Sequence, residues 1–411
     1  MKVPNKAGDI TSPVTEANRR LWLLTVAHAV THMRGAVLPL IYPVLMRTMR
    51  FGYIDLGFML SVTRLIGGLL QGIWGKVSKI VPGNIIIALE NWGISIGMGL
   101  AGMSVNVGEL TGAVAFGQIA ASPQHPVASS MLSRWFSTRR GHALGIHFAG
   151  GNVGTVLSPI IATFLLLRVG WQDTLYLFMI PGVIVGVLVF FRLPKELAPV
   201  KNKKSRERVR FGGDFFQPLK DAKVRRLIIT GSITAGGKGL GILNTFVPLL
   251  LIRGMHLPIA ESGLLFTVFT ATSVIGPVLT GRVSDRYNRP RFLSVLLLLS
   301  FVSSVATAFL YRQDIWLLIV SLIVMGLVVH SYSPVEQAIM GDLTEKTLPE
   351  QAYSLFYGMT FGVSAAWPLL FALVLNRWGF TALFLAISVT YAIGAWVYGT
   401  RDWAPPPAET L

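Results

Sequence analysis

Gly281 to Arg291 reads GRVSDRYNRPR, a charged, glycine-bearing turn set between two long apolar runs. A weaker copy, GKVSK at Gly75 to Lys79, stands 206 positions earlier between another pair of apolar runs. The same offset of 206 relates Asp55-Leu56-Gly57 to Glu261-Ser262-Gly263, where the runs leading into these turns begin. An apolar hairpin with a polar turn has been built twice, so the chain reads as two similar halves.

The composition says what kind of halves they are. With 52% hydrophobic and 13% charged residues and a mean hydropathy of +0.60, the 411-residue chain is too apolar for a water-soluble protein of its size. A bilayer core takes about 20 apolar residues per helix. Twelve runs of that order begin near Leu21, Asp55, Asn84, Glu109, His142, Thr174, Leu227, Glu261, Phe292, Ile315, Gln351 and Phe380. The predicted fold is an all-α membrane protein of twelve transmembrane helices in two six-helix bundles with pseudo-two-fold symmetry. The expected layout is a tail (1–20), a first bundle (21–193), a polar linker (194–226), a second bundle (227–400) and a second tail (401–411). Met1 to Arg20 has no apolar core with a cleavage site, so no removed leader is expected. The absence of cysteine excludes disulfides, thiol catalysis and Cys-ligated metals.

The net charge of +17 follows the topology. Of the 36 Lys and Arg, 27 fall in the two termini, the even-numbered loops and their helix ends, 11 of them between Lys195 and Arg226. Six lie in odd-numbered loops, and three (Arg34, Arg64 and Lys238) lie inside runs. Basic excess marks the cytoplasmic side, which puts both termini and the linker there. The chain is therefore expected as a multi-pass protein of a bacterial inner membrane. Its cations face anionic lipid rather than nucleic acid.

Polar residues inside the runs gather on particular faces. Run one carries His28, His32, Gly35 and Pro39 on one face and Thr31 with Arg34 on another. Run seven, its counterpart, sets Lys238 against His32. Run four places Gln118, Ser122, His125 and Ser129 at helical spacing, and its HPV at His125 returns as SPV at Ser333 in run ten. Run ten adds His330, Glu336 and Gln337. Gly150, Gly154 and Ser158 in run five, repeated as Gly358, Gly362 and Ala366 in run eleven, form a small-residue stripe for close helix approach. AGGKGLG at Ala235 lies within an apolar run with no preceding strand, so its glycines read as allowing close approach or a break in helix seven and not as a nucleotide loop.

Twelve runs in two halves, with the charged turn after runs two and eight, resemble the major facilitator superfamily over essentially the whole chain. GRVSDRYNRPR is similar to the signature loop of that family, in which the glycine permits a tight turn and the acidic and basic groups form a charge network. That resemblance implies a gating loop of Gly75 and Lys79 in the first half and Gly281, Asp285 and Arg286 in the second. Lys79 departs from the pattern, standing where it has aspartate. Run four lacks the arginine typical of the proton/drug antiporters of the family, and run five matches their motif only in part, with Gly154 followed by Ser158-Pro159. His-Pro in run four with GGNVGTVLSP in run five resembles the fosmidomycin-resistance-like branch. RWFSTRRGHALGI equally resembles monocarboxylate and oxalate/formate members.

Transporters built in this way bind solute near the midplane between the bundles, where ionisable groups are costly and mark function. Arg34 and Lys238 both fall near mid-depth at 1.5 Å per residue. Two cations converging on a cavity suit a carboxylate, phosphonate or phosphate. The expected activity is secondary active transport of a small organic anion, with proton coupling, by a monomer that is not an enzyme. The alternative is efflux of neutral or amphipathic drugs. The predicted substrate residues are Arg34, Lys238, His32, His125, Gln118, His330, Gln337 and Asn244, and the predicted proton carriers are His28, Glu90 and Glu336. Arg64 ranks below Arg34, because pairing with Glu90 would account for it equally well. No cofactor is expected and no metal either: His28 and His32 could ligate one from a single helix face, but no third ligand lies near them in sequence.

Overall fold

A computed structural model describes residues 13–71, 73–197, 216–284, 286–344 and 349–403. Among these residues the chain is helical, and the helices resolve into twelve spans. Spans one to three are Pro13–Thr48, Tyr53–Gln71 and Gly83–Met103. Span four is broken into Val107–Ala121 and Gln124–Trp135. Spans five and six are the two arms of Arg140–Arg192, which folds back at Gly170. Span seven runs through Ala222–Gly254, and spans eight and nine are Ile259–Ser284 and Arg289–Leu310. Span ten is broken into Ile315–Val329 and Tyr332–Thr344. Span eleven begins with Pro349–Ser364 and continues into Trp367–Thr400, which folds back at Gly379 to give span twelve.

Nine helical segments among the described residues are long and apolar enough to cross a bilayer, and two of them are the doubled arms just named. Span four completes the set of twelve; its break leaves neither piece long enough alone.

The repeat read from sequence is repeated in the backbone. Gly170 and Gly379 hold φ of 78° and 79°, a conformation that only glycine adopts without strain. They turn span five into six and span eleven into twelve in the same sense. Spans four and ten both break just before the repeated HPV and SPV, at Ser122–Pro123 and at His330–Ser331. The four polar residues of run four therefore do not lie along one continuous helix.

The small-residue stripe of span five does what its spacing predicts. Gly150 rests against Thr25, and at Gly154 a Cβ would sit 1.9 Å from the Ala29 carbonyl oxygen, so spans one and five touch backbone to backbone. The copy in span eleven differs: Gly358 and Gly362 have no atom within 4 Å of a built Cβ. Span seven begins at Ala222, inside the stretch read as linker, where Asp221 caps it by accepting from the Lys223 and Val224 amides.

Residues from the two halves meet on the side of the molecule opposite the termini. The Tyr53 ring packs edge-on to Phe380 at 6.1 Å, and the Arg253 guanidinium lies over Tyr53 at 5.7 Å. Deeper in, Ser61 Oγ accepts from the Leu369 amide (3.1 Å), and Asn152 Nδ2 donates to the Ser273 carbonyl (2.9 Å). One apolar core runs across both halves here, and a second fills the terminal end of the first half.

Of the charged turns, Gly75 and Lys79 are exposed in the first half. In the second, Arg286 is exposed while Asp285 lies outside the described residues, as do the side-chain surroundings of Gly281. The described charge contact beside this turn is Arg289 with Asp342, both carboxylate oxygens within 2.7 Å. The position 208 residues before Asp342 is Arg134, which donates to Ser130 Oγ. The first half thus carries cations at two places, Lys79 and Arg134, where the second carries aspartates.

Candidate functional site

Between the halves lies a cavity of about 380 Å³. Span one lines it with Thr31, His32, Gly35, Pro39 and Tyr42, and span two with Arg64, Gly67, Gly68 and Gln71. The second half contributes Lys238, Gly241, Asn244 and Thr245 from span seven, with Phe361 and Ser364 from span eleven.

Span seven is irregular where it meets this space. Its helix gives way to a 3-10 turn at Ala235–Gly237, the backbone opens at Lys238 (ψ 128°), and π-helical turns follow at Gly239–Leu243. The glycines explain why: the rings of Trp367, Tyr391 and His330 occupy the room that side chains at Gly236, Gly237 and Gly239 would take. Opening the helix turns Lys238 toward the cavity, its ammonium 5.8 Å from the Phe361 ring centre. In this irregular stretch the Gly241 carbonyl accepts from Thr245 Oγ1 at 3.3 Å and from Arg64 Nη2, which reaches across from the first half at 2.8 Å.

Two cations from opposite halves therefore face one cavity, Arg64 and Lys238, and no carboxylate is among its described lining residues. Asn244 lines it with an Oδ1 that has no hydrogen-bond partner among the described residues, and Gln118, His32 and His125 add polar groups.

Arg34 is placed elsewhere. It is 1% exposed and turned into the packing between spans one and three. There Nη1 donates to the Asn91 carbonyl (2.6 Å) and Ser95 Oγ (2.9 Å), Nη2 to Asn91 Oδ1 (2.7 Å) and Nε to the Val30 carbonyl (3.2 Å). Glu90 belongs to the same cluster: it attracts Arg34, accepts from Thr31 Oγ1 at 3.0 Å, and takes the amide hydrogens of Gln124 in the orientation that satisfies both groups. Glu90 thus sits with Arg34, not with Arg64. His330 and Gln337 are also absent from the cavity lining. His330 is buried, with Nδ1 against the Gly326 carbonyl (2.8 Å) and Thr272 Oγ1 (3.1 Å). Glu336 is fully buried behind Lys238, which it attracts, and its Oε1 accepts from Thr234 and Tyr398 at 3.1 and 3.0 Å while Oε2 has no partner.

Sequence reasoning ranked Arg34 first because depth is easily counted, whereas the direction a side chain faces is not. The signal for Arg64 was nonetheless there: Arg64, Gly67, Gly68 and Gln71 fall at i, i+3, i+4 and i+7, one small and polar stripe in an apolar helix.

A second cluster lies on the first-half wall. His28, His32 and His125 place one ring nitrogen each within 4.8 Å of the others, a spacing that could hold a metal ion, and His147 stacks on His28 at 4.2 Å.

The profile of the Major Facilitator Superfamily matches residues 23–258 and again 237–410. The chain belongs to this superfamily. The MFS-type transporter YfnC of Bacillus subtilis (strain 168) is 21% identical over 402 residues, 95% of each chain. The multidrug resistance protein MdtG of Dickeya zeae (strain Ech586) is 23% identical over 344 residues, 82% of each. Among solved structures, the bacterial homologue of the human lysosomal transporter Spinster, inward-facing and unoccupied, superposes with a TM-score of 0.78 at 15% identity, over 93% of this chain and 96% of that one. The chain is a multi-pass membrane transporter and not an enzyme.

Proposed function

We propose that this transporter carries a small organic anion, a carboxylate, phosphonate or phosphate, by alternating access of its two halves, coupled to protons. The observation that carries the reading is the pairing of Arg64 and Lys238 across the cavity with no lining carboxylate to neutralise them. Arg64 spends one N–H on the Gly241 carbonyl of the opposite half, and the Lys238 ammonium lies over the Phe361 ring of its own half, which leaves donors for a guest. Charge-assisted hydrogen bonds from both halves to one anion would draw the halves together around it.

Proton coupling rests on Lys238 and Glu336 in the second half and on Arg34 and Glu90 in the first. Each is a buried acid beside a buried or half-buried cation, so moving one proton changes how strongly the cation is held. His28 stands closer to the terminal end of the first half. The basic excess of the termini and linker supports a bacterial inner membrane with both termini cytoplasmic. On that orientation the contacts of Tyr53, Phe380 and Arg253 close the outer side of the cavity.

The second reading, efflux of neutral or amphipathic drugs, draws on the likeness to MdtG and on the apolar Leu38, Leu60, Val114 and Phe361 in the cavity wall. Proteoliposome flux under an imposed pH gradient separates the two. Monocarboxylates, phosphonates and organic phosphates should move with the gradient, and movement of cationic or neutral drugs without any anion would overturn the anion reading.

A further inference from the structure

We infer that His28, His32 and His125 form a three-imidazole site for a divalent transition-metal ion such as Zn²⁺, built into the cavity wall of the first half. The inference stands on the geometry of these side chains and is independent of which solute is carried.

The three residues come from two spans. His28 and His32 are one turn apart on span one, and the break at Ser122–Pro123 re-aims the second piece of span four so that His125 closes the triangle. Their ring contacts are close, with centroids 4.5 Å apart for His28 and His32, 5.2 Å for His28 and His125, and 5.8 Å for His32 and His125.

Hydrogen bonding bears on which nitrogen His28 and His32 offer. A carbonyl oxygen can only accept, so the 2.9 Å contact of His28 Nδ1 with the His147 carbonyl places the proton on Nδ1. Nε2 of His28 is then a bare lone pair, and it is buried without a partner among the described residues, in a side chain that is 1% exposed. His32 is compatible with the same arrangement: with the Thr155 Oγ1 hydrogen on the Gly151 carbonyl at 3.2 Å, Oγ1 accepts from His32 Nδ1 at 3.3 Å, and in that tautomer Nε2 of His32 is the lone pair. A ring whose N–H is held by a carbonyl or hydroxyl, leaving the opposite nitrogen as a lone pair, is how metal-binding histidines are oriented. Three neutral imidazoles match the ligand preference of Zn²⁺ and its neighbours in the first transition row.

At a Zn–N distance of about 2.1 Å, tetrahedral ligand atoms lie about 3.4 Å apart, so an outer spacing of 4.8 Å asks the rings to close by at most ~1.4 Å. His32 and His125 line the cavity while His28 lies behind them, so the fourth position of such an ion opens toward the cavity.

The test uses the full chain in nanodiscs with any polyhistidine tag removed. Equilibrium dialysis with Zn²⁺ should give one ion per chain, and His125→Ala should weaken binding at least about tenfold, while His330→Ala in the other half leaves it unchanged. Because the chain contains no cysteine, His125→Cys offers a readout that does not depend on lost binding. Co²⁺ added to that variant should produce a thiolate-to-metal charge-transfer band, absent in wild type and in His330→Cys. No ion bound by the wild-type protein, unaltered affinity in His125→Ala, or Co²⁺ without the charge-transfer band in His125→Cys would each overturn the assignment.

Discussion

Replacing Arg64 by glutamine removes a cation from the cavity while keeping a polar side chain of comparable reach. The Arg64 fork spends one N–H on the Gly241 carbonyl and turns toward the cavity otherwise, so the loss to a bound anion is about one charge-assisted contact. Such contacts are worth about 1.5 to 3 kcal/mol, which is roughly a tenfold to 150-fold weaker dissociation constant. Lys238→Gln is expected to fall within the same range, and Arg64→Lys in between, since charge survives but the fork does not. Isothermal titration of the purified protein with the transported anion measures all three. Arg34→Gln serves as the contrast: it strips four hydrogen bonds from a buried cluster and uncovers Glu90, at a cost of about 3 to 5 kcal/mol in stability. That variant should melt early, yet bind the anion normally wherever it stays folded. Unchanged anion affinity in both Arg64→Gln and Lys238→Gln, or a loss confined to Arg34→Gln, would refute the assignment of the cavity cations.

Gly154→Ala should destabilise by about 1 to 3 kcal/mol, read as a lower unfolding temperature, because the added methyl meets the Ala29 backbone and not a side chain that can swing away. Glu336→Gln should leave anion exchange intact while abolishing acceleration by a pH gradient, and gradient-driven uptake at the wild-type rate would remove Glu336 from the coupling. At the charged turns, Asp285→Asn should shift the balance between inward- and outward-facing states more than Lys79→Gln does. Single-cysteine accessibility on the natural cysteine-free background reports this, and equal shifts would contradict it.

The fold was legible because a bilayer leaves few choices: each span announces itself by about twenty apolar residues, and the offset of 206 exposes the duplication. The breaks were only partly legible. The glycines of AGGKGLG allowed for one in span seven, but in span four a continuous face is expected from the spacing, and the helix Val107–Ala121 instead ends just before Pro123. At the site, position along the helix axis could be counted while rotation about it could not. His32, Gly35 and Pro39 share the cavity-facing stripe of span one, and Arg34 lies on the other stripe toward span three. His125 joined His28 and His32 only through the fold, since 93 residues separate it from His32.

The bond from Arg64 to the Gly241 carbonyl makes one guanidinium serve two masters. It is a clasp between the halves, and on the anion reading proposed above it is also one of the two cations a guest would meet. On that reading, a guest that took those hydrogens would unfasten the clasp with its own binding energy, and a loaded carrier would rock more readily than an unloaded one. Leak would then be suppressed at a single backbone oxygen, set in the irregular stretch of span seven.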